Sequence, residues 1–188
     1  TFSNPTNDNP TSPARHVDVT VNDGFRDSAV ASTTMSVISV NDPTIAGADH
    51  VITNFAANTA FVVTDAALVA NDTDPDSTLS ISGIGNNPNP NGLTVTHSGS
   101  AQTVTITDNT TPGGTFTYTV NGVSGAVTVD RVTTTTIDGS NTADIIVGND
   151  ASTTINGNGG NDFIFGNGGN DTLNGGSGDD TIIYTVTN

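Results

Sequence analysis

The stretch that decides the fold covers residues 139–183 and reads GSNTADIIV-GNDASTTIN-GNGGNDFIF-GNGGNDTLN-GGSGDDTII in blocks of nine. Glycine opens every block, and the eighth position is always isoleucine or leucine: Ile146, Ile155, Ile164, Leu173 and Ile182. The sixth position is Asp144, Thr153, Asp162, Asp171 and Asp180 in turn. An unbroken period of nine predicts stacked repeats, because only stacking buries the apolar column.

Each block predicts a turn over its first six residues and a short strand over its last three. Glycine and asparagine adopt the positive φ that such turns need at low cost. Two blocks then form one coil, so neighbours on the same edge lie eighteen residues apart in sequence. We therefore expect Asp162 to lie between Asp144 and Asp180 on one edge, and Thr153 to lie beside Asp171 on the other.

Stacked carboxylates repel one another, so this array requires a cation between the loops. Calcium accepts about six to eight oxygen ligands, and carboxylates with loop carbonyls supply them. Magnesium demands a smaller octahedral shell, and zinc prefers nitrogen or sulfur, whereas residues 139–183 contain no His and no Cys. The sequence therefore predicts Ca²⁺ as the cofactor.

The array resembles the RTX (repeats-in-toxin) nonapeptide family, whose G-G-x-G-x-D-x-U-x pattern marks a calcium-binding parallel β-roll. The resemblance implies that the loop glycines and sixth-position aspartates form the metal sites. These residues are Asp144, Gly157, Gly159, Gly160, Asp162, Gly166, Gly168, Gly169, Asp171, Gly175, Gly178 and Asp180. Thr153 departs from the pattern, and Asp150 in the same loop is a candidate to compensate for it.

A flexible linker and a phosphate-binding loop are the two other interpretations of the glycine-rich stretch. A flexible linker would show no fixed apolar column. A phosphate-binding loop would require a Gly-Lys-Ser/Thr ending, and the chain contains no Lys.

Residues 44–132 predict a β-sandwich of immunoglobulin type, with short strands separated by turns such as Asn91-Gly92. The predicted strands are Val51–Phe55, Ala60–Thr64, Leu79–Ile84, Leu93–His97, Gln102–Thr107, Thr115–Val120 and Ala126–Val132. Before them, residues 1–43 predict only a hairpin, formed by His16–Val21 and Val30–Val40. Because a lone hairpin is marginal in water, we expect residues 1–43 to be the last strands of a preceding repeat.

The stretches LVANDTDPDSTLSISGI (Leu68–Ile84) and TFTYTVNGVSGAVTV (Thr115–Val129) resemble the cadherin-like repeats of large bacterial surface proteins. In cadherins an Asp-x-Asp element and an inter-repeat linker share Ca²⁺, and Asp42, Asp72 and Asp74 are the matching positions. Ser39 stands where the linker's first acidic residue would be, and the chain has no Glu. A calcium site and a solvated Asp-Pro turn therefore both stay open there.

Composition restricts the function further. The chain has 19 acidic and 3 basic residues, with a net charge of −16, which argues against nucleic acid as a partner. No apolar run is long enough for membrane insertion. No nucleophile, base and orienting group stand at a hydrolase-like spacing, and His16, His50 and His97 are scattered one per region, so we expect no enzyme activity.

The predicted fold class is therefore all-β, an immunoglobulin/cadherin-like β-sandwich followed by a parallel β-roll. The predicted divisions are residues 1–43, 44–132, a linker at 133–137 and the roll at 138–188. The favoured function is a non-catalytic, calcium-binding structural or adhesive segment of a type I-secreted, extracellular, cell-surface protein. The alternatives are the secretion module of an RTX protease or lipase and a self-assembling filament or surface-layer subunit, and homotypic or neighbouring-repeat contacts are the expected partners besides calcium.

Overall fold

The structure is a computed structural model that describes residues 15–36, 40–85, 92–109 and 113–184. It divides into two compact units, one formed by residues 1–43 with 74–78 and the other by residues 44–73 with 79–188. The described residues are almost entirely strands and turns, with one helix of four residues. The prediction of an all-β chain is confirmed at this level.

The described residues of the first unit form one antiparallel hairpin. Strands β1 (Arg15–Val19) and β2 (Ala31–Met35) pair with Arg15 opposite Met35. Asp23 shapes the turn between them, because its Oδ1 accepts hydrogen bonds from the backbone N–H groups of Phe25 and Arg26. The second strand is shorter than the predicted Val30–Val40, and residues 37–39 of that prediction lie outside the described residues.

The second unit begins with seven strands and one short helix, α1 (Asp65–Leu68). The strands are β3 (Ala48–Thr53), β4 (Ala60–Thr64), β5 (Ile81–Gly85), β6 (Leu93–Ser98), β7 (Thr103–Asp108), β8 (Gly113–Val120) and β9 (Val123–Arg131). All seven predicted strands are present, although most bounds differ by a few residues. Alternating side chains of the sheet β4-β7-β6 and of strands β5, β8, β9 and β3 share one core, which includes Phe61, Val95, Ile106, Phe116 and Tyr118.

Six further strands form the repeat region, which we call the roll. They are β10 (Thr136–Asp138), β11 (Ile145–Val147), β12 (Thr154–Asn156), β13 (Phe163–Asn167), β14 (Thr172–Asn174) and β15 (Thr181–Tyr184). All their mutual pairings are parallel: β10-β12-β14 forms one sheet, and β11-β13-β15 forms the other side. The predicted eighteen-residue register is confirmed, for example by Ile146 opposite Ile164.

The eighth-position side chains of the first four blocks form the core of the roll, whereas Ile182 of the fifth block is 45% exposed. Ile146, Ile155 and Ile164 are fully buried, and Leu173 packs against them. Ile137 joins this column from strand β10, so the roll begins before residue 138 and the predicted linker at 133–137 is partly a strand. The glycine pattern gave no sign of this, because Asp130 stands where an opening glycine would be.

Strand β3 belongs to both parts of the second unit. It pairs in parallel with β9 on one side and with β11 on the other, which gives a single sheet in the order β15-β13-β11-β3-β9-β8-β5. Successive side chains of a strand point to opposite faces. Val51 therefore packs in the core of the seven-strand region, while Ile52 packs in the column of the roll.

Within the described ranges, no helix has the length and apolar character that a membrane crossing requires.

Candidate calcium-binding site

The sixth-position carboxylates stack along the two edges of the roll. On one edge the backbone N–H of Asp144 donates to Asp162 Oδ1 at 2.9 Å, and the N–H of Asp162 donates to Asp180 Oδ1 at 3.0 Å. On the other edge, the N–H of Thr153 donates to Asp171 Oδ1 at 2.9 Å. Each carboxylate therefore uses one oxygen to bind the coil that precedes it, which leaves the other oxygen for a different partner.

In Asp162 and Asp171, the oxygen that does not bind the preceding coil is buried and has no hydrogen-bond partner. Asp162 is 0% exposed, and the Oδ2 atoms of both Asp162 and Asp171 lack a hydrogen bond. Burial raises the pKa of Asp162, and the negative charges of Asp144 and Asp180 add to this effect. A buried carboxylate without a partner is costly unless a cation accompanies it.

The glycines leave space for such a cation. A Cβ added to Gly157 would collide with both Asp162 Oδ2 and the carbonyl oxygen of Gly175, so these two oxygens face the same small volume. A Cβ on Gly175 would likewise collide with Asp180 Oδ2. A carboxylate and a carbonyl oxygen around a space free of side chains fit the oxygen ligands that calcium prefers.

The remaining predicted glycines allow the loops to stack closely. Gly160 and Gly169 have φ values of 104° and 100°, and a Cβ on either would strike the backbone of the loop eighteen residues earlier. Gly178 is likewise left-handed, with a φ of 128°. Gly159 forms a parallel bridge to Ser177. A Cβ on Gly166 would contact Asp171 Oδ2 at 3.1 Å, and one on Gly168 would contact Asp150 Oδ1 at 3.3 Å, so Asp150 lies beside the next loop of its edge.

Carboxylates alone do not complete a metal shell. No three or more His or Asp side chains within the described ranges come together as a ready-made metal site. A calcium ion in this array would therefore rely on loop carbonyls for much of its coordination. The Mg²⁺ shell is smaller and more rigid, and fits such adaptable carbonyl loops less well.

The three candidate calcium-binding positions outside the roll, Asp42, Asp72 and Asp74, each take part in a hydrogen bond in the structure. Asp72 is buried in the second unit and accepts hydrogen bonds from Tyr118 Oη and from the N–H of Gly47. In the first unit, the N–H of Asp42 donates to Asp76 Oδ2 at 3.1 Å, and Asp74 Oδ1 accepts from the N–H of Ser77. Calcium binding by Asp42, Asp72 and Asp74 stays a prediction.

A second buried carboxylate lies close to Asp72. Asp49 is 7% exposed, and its Oδ2 has no hydrogen-bond partner. Burial, followed by the negative charge of Asp72, raises the pKa of Asp49 to about 7. This pair lies beside Tyr118, and Asp49 also lines a cavity together with Asp144 and Gly160 of the roll.

Sequence reasoning placed the histidines at strand edges and missed what His50 contacts. His50 Nδ1 lies 2.7 Å from Asp144 Oδ1, and Nε2 lies 2.9 Å from Asp130 Oδ2. Burial lowers the pKa of His50, but the hydrogen bonds and charges of Asp130 and Asp144 outweigh it and raise the pKa above its ordinary value. No local pattern could reveal this contact, because His50 and Asp144 are 94 residues apart in sequence.

Comparison with known proteins supports the repeat assignment. The family model of the RTX calcium-binding nonapeptide repeat (4 copies) matches residues 147–182. No curated protein matches the chain significantly. The chain therefore contains RTX repeats, which bind calcium and are typical of type I-secreted proteins.

Proposed function

We propose that this chain is a non-catalytic, calcium-binding structural and adhesive segment of a large type I-secreted bacterial surface protein. In this proposal the roll folds when it meets calcium outside the cell, and the preceding strands form a cadherin-like sandwich that adds length. The observation that carries the proposal is the pair of buried, unpartnered oxygens of Asp162 and Asp171 within RTX repeats.

Calcium would drive folding by mass action. An ion that binds the folded roll and not the unfolded chain stabilises it in proportion to the logarithm of its concentration. Cytosolic calcium is too scarce to fill such sites, so the calcium-binding coils of the roll would stay unfolded during export. Millimolar calcium outside the cell would then order the loops around the carboxylates.

The shared sheet supports a structural role. Strand β3 is hydrogen-bonded to β9 and to β11, so a folded roll would continue the sheet of the seven-strand region without a flexible joint. The adhesive role rests on the resemblance of the preceding strands to cadherin-like repeats. The non-catalytic role rests on the lack of a catalytic spacing in the sequence, and reproducible turnover of a substrate by the purified chain would overturn it.

Calorimetric titration tests the calcium proposal. A chelator-treated chain should bind Ca²⁺ and should bind Mg²⁺ far more weakly. A double variant, Asp162→Asn with Asp171→Asn, should lose most of the calcium binding. The matched control is Asp27→Asn, which removes an exposed carboxylate of the hairpin and should bind like the unsubstituted chain. Equal calcium binding by the double variant and the control would refute the proposal.

A further inference from the structure

The first coil of the roll, residues 139–156, differs from the coils that follow it. The side chain of Asp144 is 0% exposed, yet both of its oxygens have hydrogen-bond donors. His50 Nδ1 contacts Oδ1 at 2.7 Å. The N–H and the Oγ of Ser140 reach Oδ2 at 2.6 Å and 2.8 Å. Asp144 therefore lacks the free buried oxygen that Asp162 and Asp171 possess.

On the other edge of the first coil, side chains of the protein also satisfy the polar groups of the loop. The residue that does so is Asn54, which directly follows strand β3. Asn54 Nδ2 donates to Thr153 Oγ1 at 3.3 Å, and Asn54 Oδ1 accepts from the N–H of Asn149 at 2.8 Å. Thr153 Oγ1 in turn donates to the carbonyl of Ala151 at 2.9 Å. Thr53 adds a hydrogen bond from its Oγ1 to the carbonyl of Val147.

Strand β3 supplies these groups because it pairs with the roll as a preceding coil would. Val51 lies opposite Ile145 just as Ile145 lies opposite Phe163. In this register His50 lies directly before β3 residue Val51, just as Asp144 lies before Ile145 and Asp162 lies before Phe163. His50 therefore occupies the position that the sixth-position aspartates occupy in the coils that follow. His50 hydrogen-bonds Asp144 Oδ1 through Nδ1 and Asp130 Oδ2 through Nε2, so a protein side chain satisfies Asp144 without a metal.

Backbone conformation also separates the closed loops from the open ones. At the second position of the block, Asn158 and Asn167 have φ values of 72° and 57°, and Gly176 has a φ of 101°. Ser140 and Asn149, at the same position of the first two blocks, are not left-handed. Serine avoids the left-handed region because of its Cβ, and in the conformation it adopts its N–H donates to the carboxylate of Asp144.

We infer that the first coil is a metal-free cap, in which His50, Ser140 and Asn54 take the place of calcium and calcium binding starts at Asp162 and Asp171. This inference rests on the proposed function, because it assumes that the later loops take up calcium. Its consequence is that the first coil stays folded on strand β3 when calcium is removed, and so provides the template on which the later coils assemble.

Calcium counting tests which loops hold metal. Equilibrium dialysis with metal analysis gives the number of calcium ions bound per chain. Asp144→Asn should bind as many ions as the unsubstituted chain, whereas Asp162→Asn should bind at least one fewer. An equal loss in both variants would show that Asp144 is a calcium ligand and would overturn the inference.

Hydrogen exchange in chelator tests the cap without calcium. The amides of β11 (Ile145–Val147) should be protected while those of β13 (Phe163–Asn167) exchange freely. His50→Gln should speed exchange of β11 about tenfold or more, since the hydrogen bond to the buried carboxylate of Asp144 is lost.

The matched control is His97→Gln. His97 also pairs with a carboxylate, at 2.9 Å from Asp65 Oδ2, but it lies in strand β6, which pairs with β7 and not with a strand of the roll, so β11 should exchange as in the unsubstituted chain. Unprotected β11 amides in the unsubstituted chain, or no difference between the His50 and His97 variants, would refute the cap. If the chain binds no calcium at all, the proposed function fails, and this exchange experiment still decides whether the cap exists.

Discussion

The two carboxylate oxygens of Asp162 have different roles in the array of stacked aspartates. Its Oδ1 holds the backbone of the coil before it, and its Oδ2 is buried with no partner. Asp171 has the same pair of roles, but it is half-buried and lies on the edge where Thr153 replaces an aspartate. The cost of losing a carboxylate should therefore differ between the two positions.

Asp162→Ala should raise the calcium concentration at the midpoint of folding more than Asp171→Ala or Asp180→Ala. Breaking a buried charge pair costs about 3–5 kcal/mol, which is an upper guide for these loops. Calcium titrations of the three variants by circular dichroism give the order. If Asp171→Ala raises the midpoint calcium concentration more than Asp162→Ala does, the stacking of the aspartates along two edges does not determine where calcium binds.

Asp49 gives the stability of the fold a dependence on pH. Its pKa is raised from 3.8 to about 7 in the folded chain. A carboxyl group with a raised pKa contributes stability that is fully present below the unfolded pKa and is lost as the pH rises through the folded pKa. Asp49 should therefore lower the stability of the chain progressively between about pH 4 and pH 7.

Asp49→Asn should remove this dependence, because the amide does not ionise. At pH 8 in saturating calcium the variant should be roughly 2–4 kcal/mol more stable than the unsubstituted chain, and the gain should shrink towards pH 5. Denaturant unfolding at both pH values measures it, with Asp27→Asn as the control for a lost surface charge. A gain that is equal at the two pH values would contradict the role given to Asp49.

At the scale of the elements, the repeat spacing was enough to predict the register of the roll. A period of nine with one inward side chain places Ile146 opposite Ile164, because parallel neighbours must lie two blocks apart. Alternation likewise predicts strand β8, in which Phe116, Tyr118 and Val120 alternate with threonines. These features are local, and local patterns determine them.

The contacts of strand β3 could not be predicted in this way. His50 and Asn54 lie outside the nine-residue repeats. Their partners in the roll, Asp144 and Asn149, are 94 and 95 residues away in sequence. Ile137 was missed for a related reason, since its block lacks an opening glycine. Non-local pairing, rather than strand propensity, decides where the roll starts.

At the scale of the whole molecule, the folding stability of the second unit should depend on calcium in the roll and much less in the seven-strand region. The seven-strand region buries a large apolar core that includes Phe116 and Tyr118, whereas the last strand of the roll, β15, exposes Ile182 and Ile183. Stability that comes from apolar burial does not require an ion, while the stacked carboxylates do require one. Removal of calcium should therefore unfold the far end of the roll and leave the seven-strand region folded.

Hydrogen exchange on the unsubstituted chain, compared between chelator and millimolar Ca²⁺, tests this claim most directly. The account predicts that the amides of β8 and β9 are protected in both conditions. Those of β13 and β15 should be protected in calcium and should exchange at the rates of an unfolded chain in chelator. Equal protection of β13 and β15 with and without calcium would contradict calcium-driven folding of the roll.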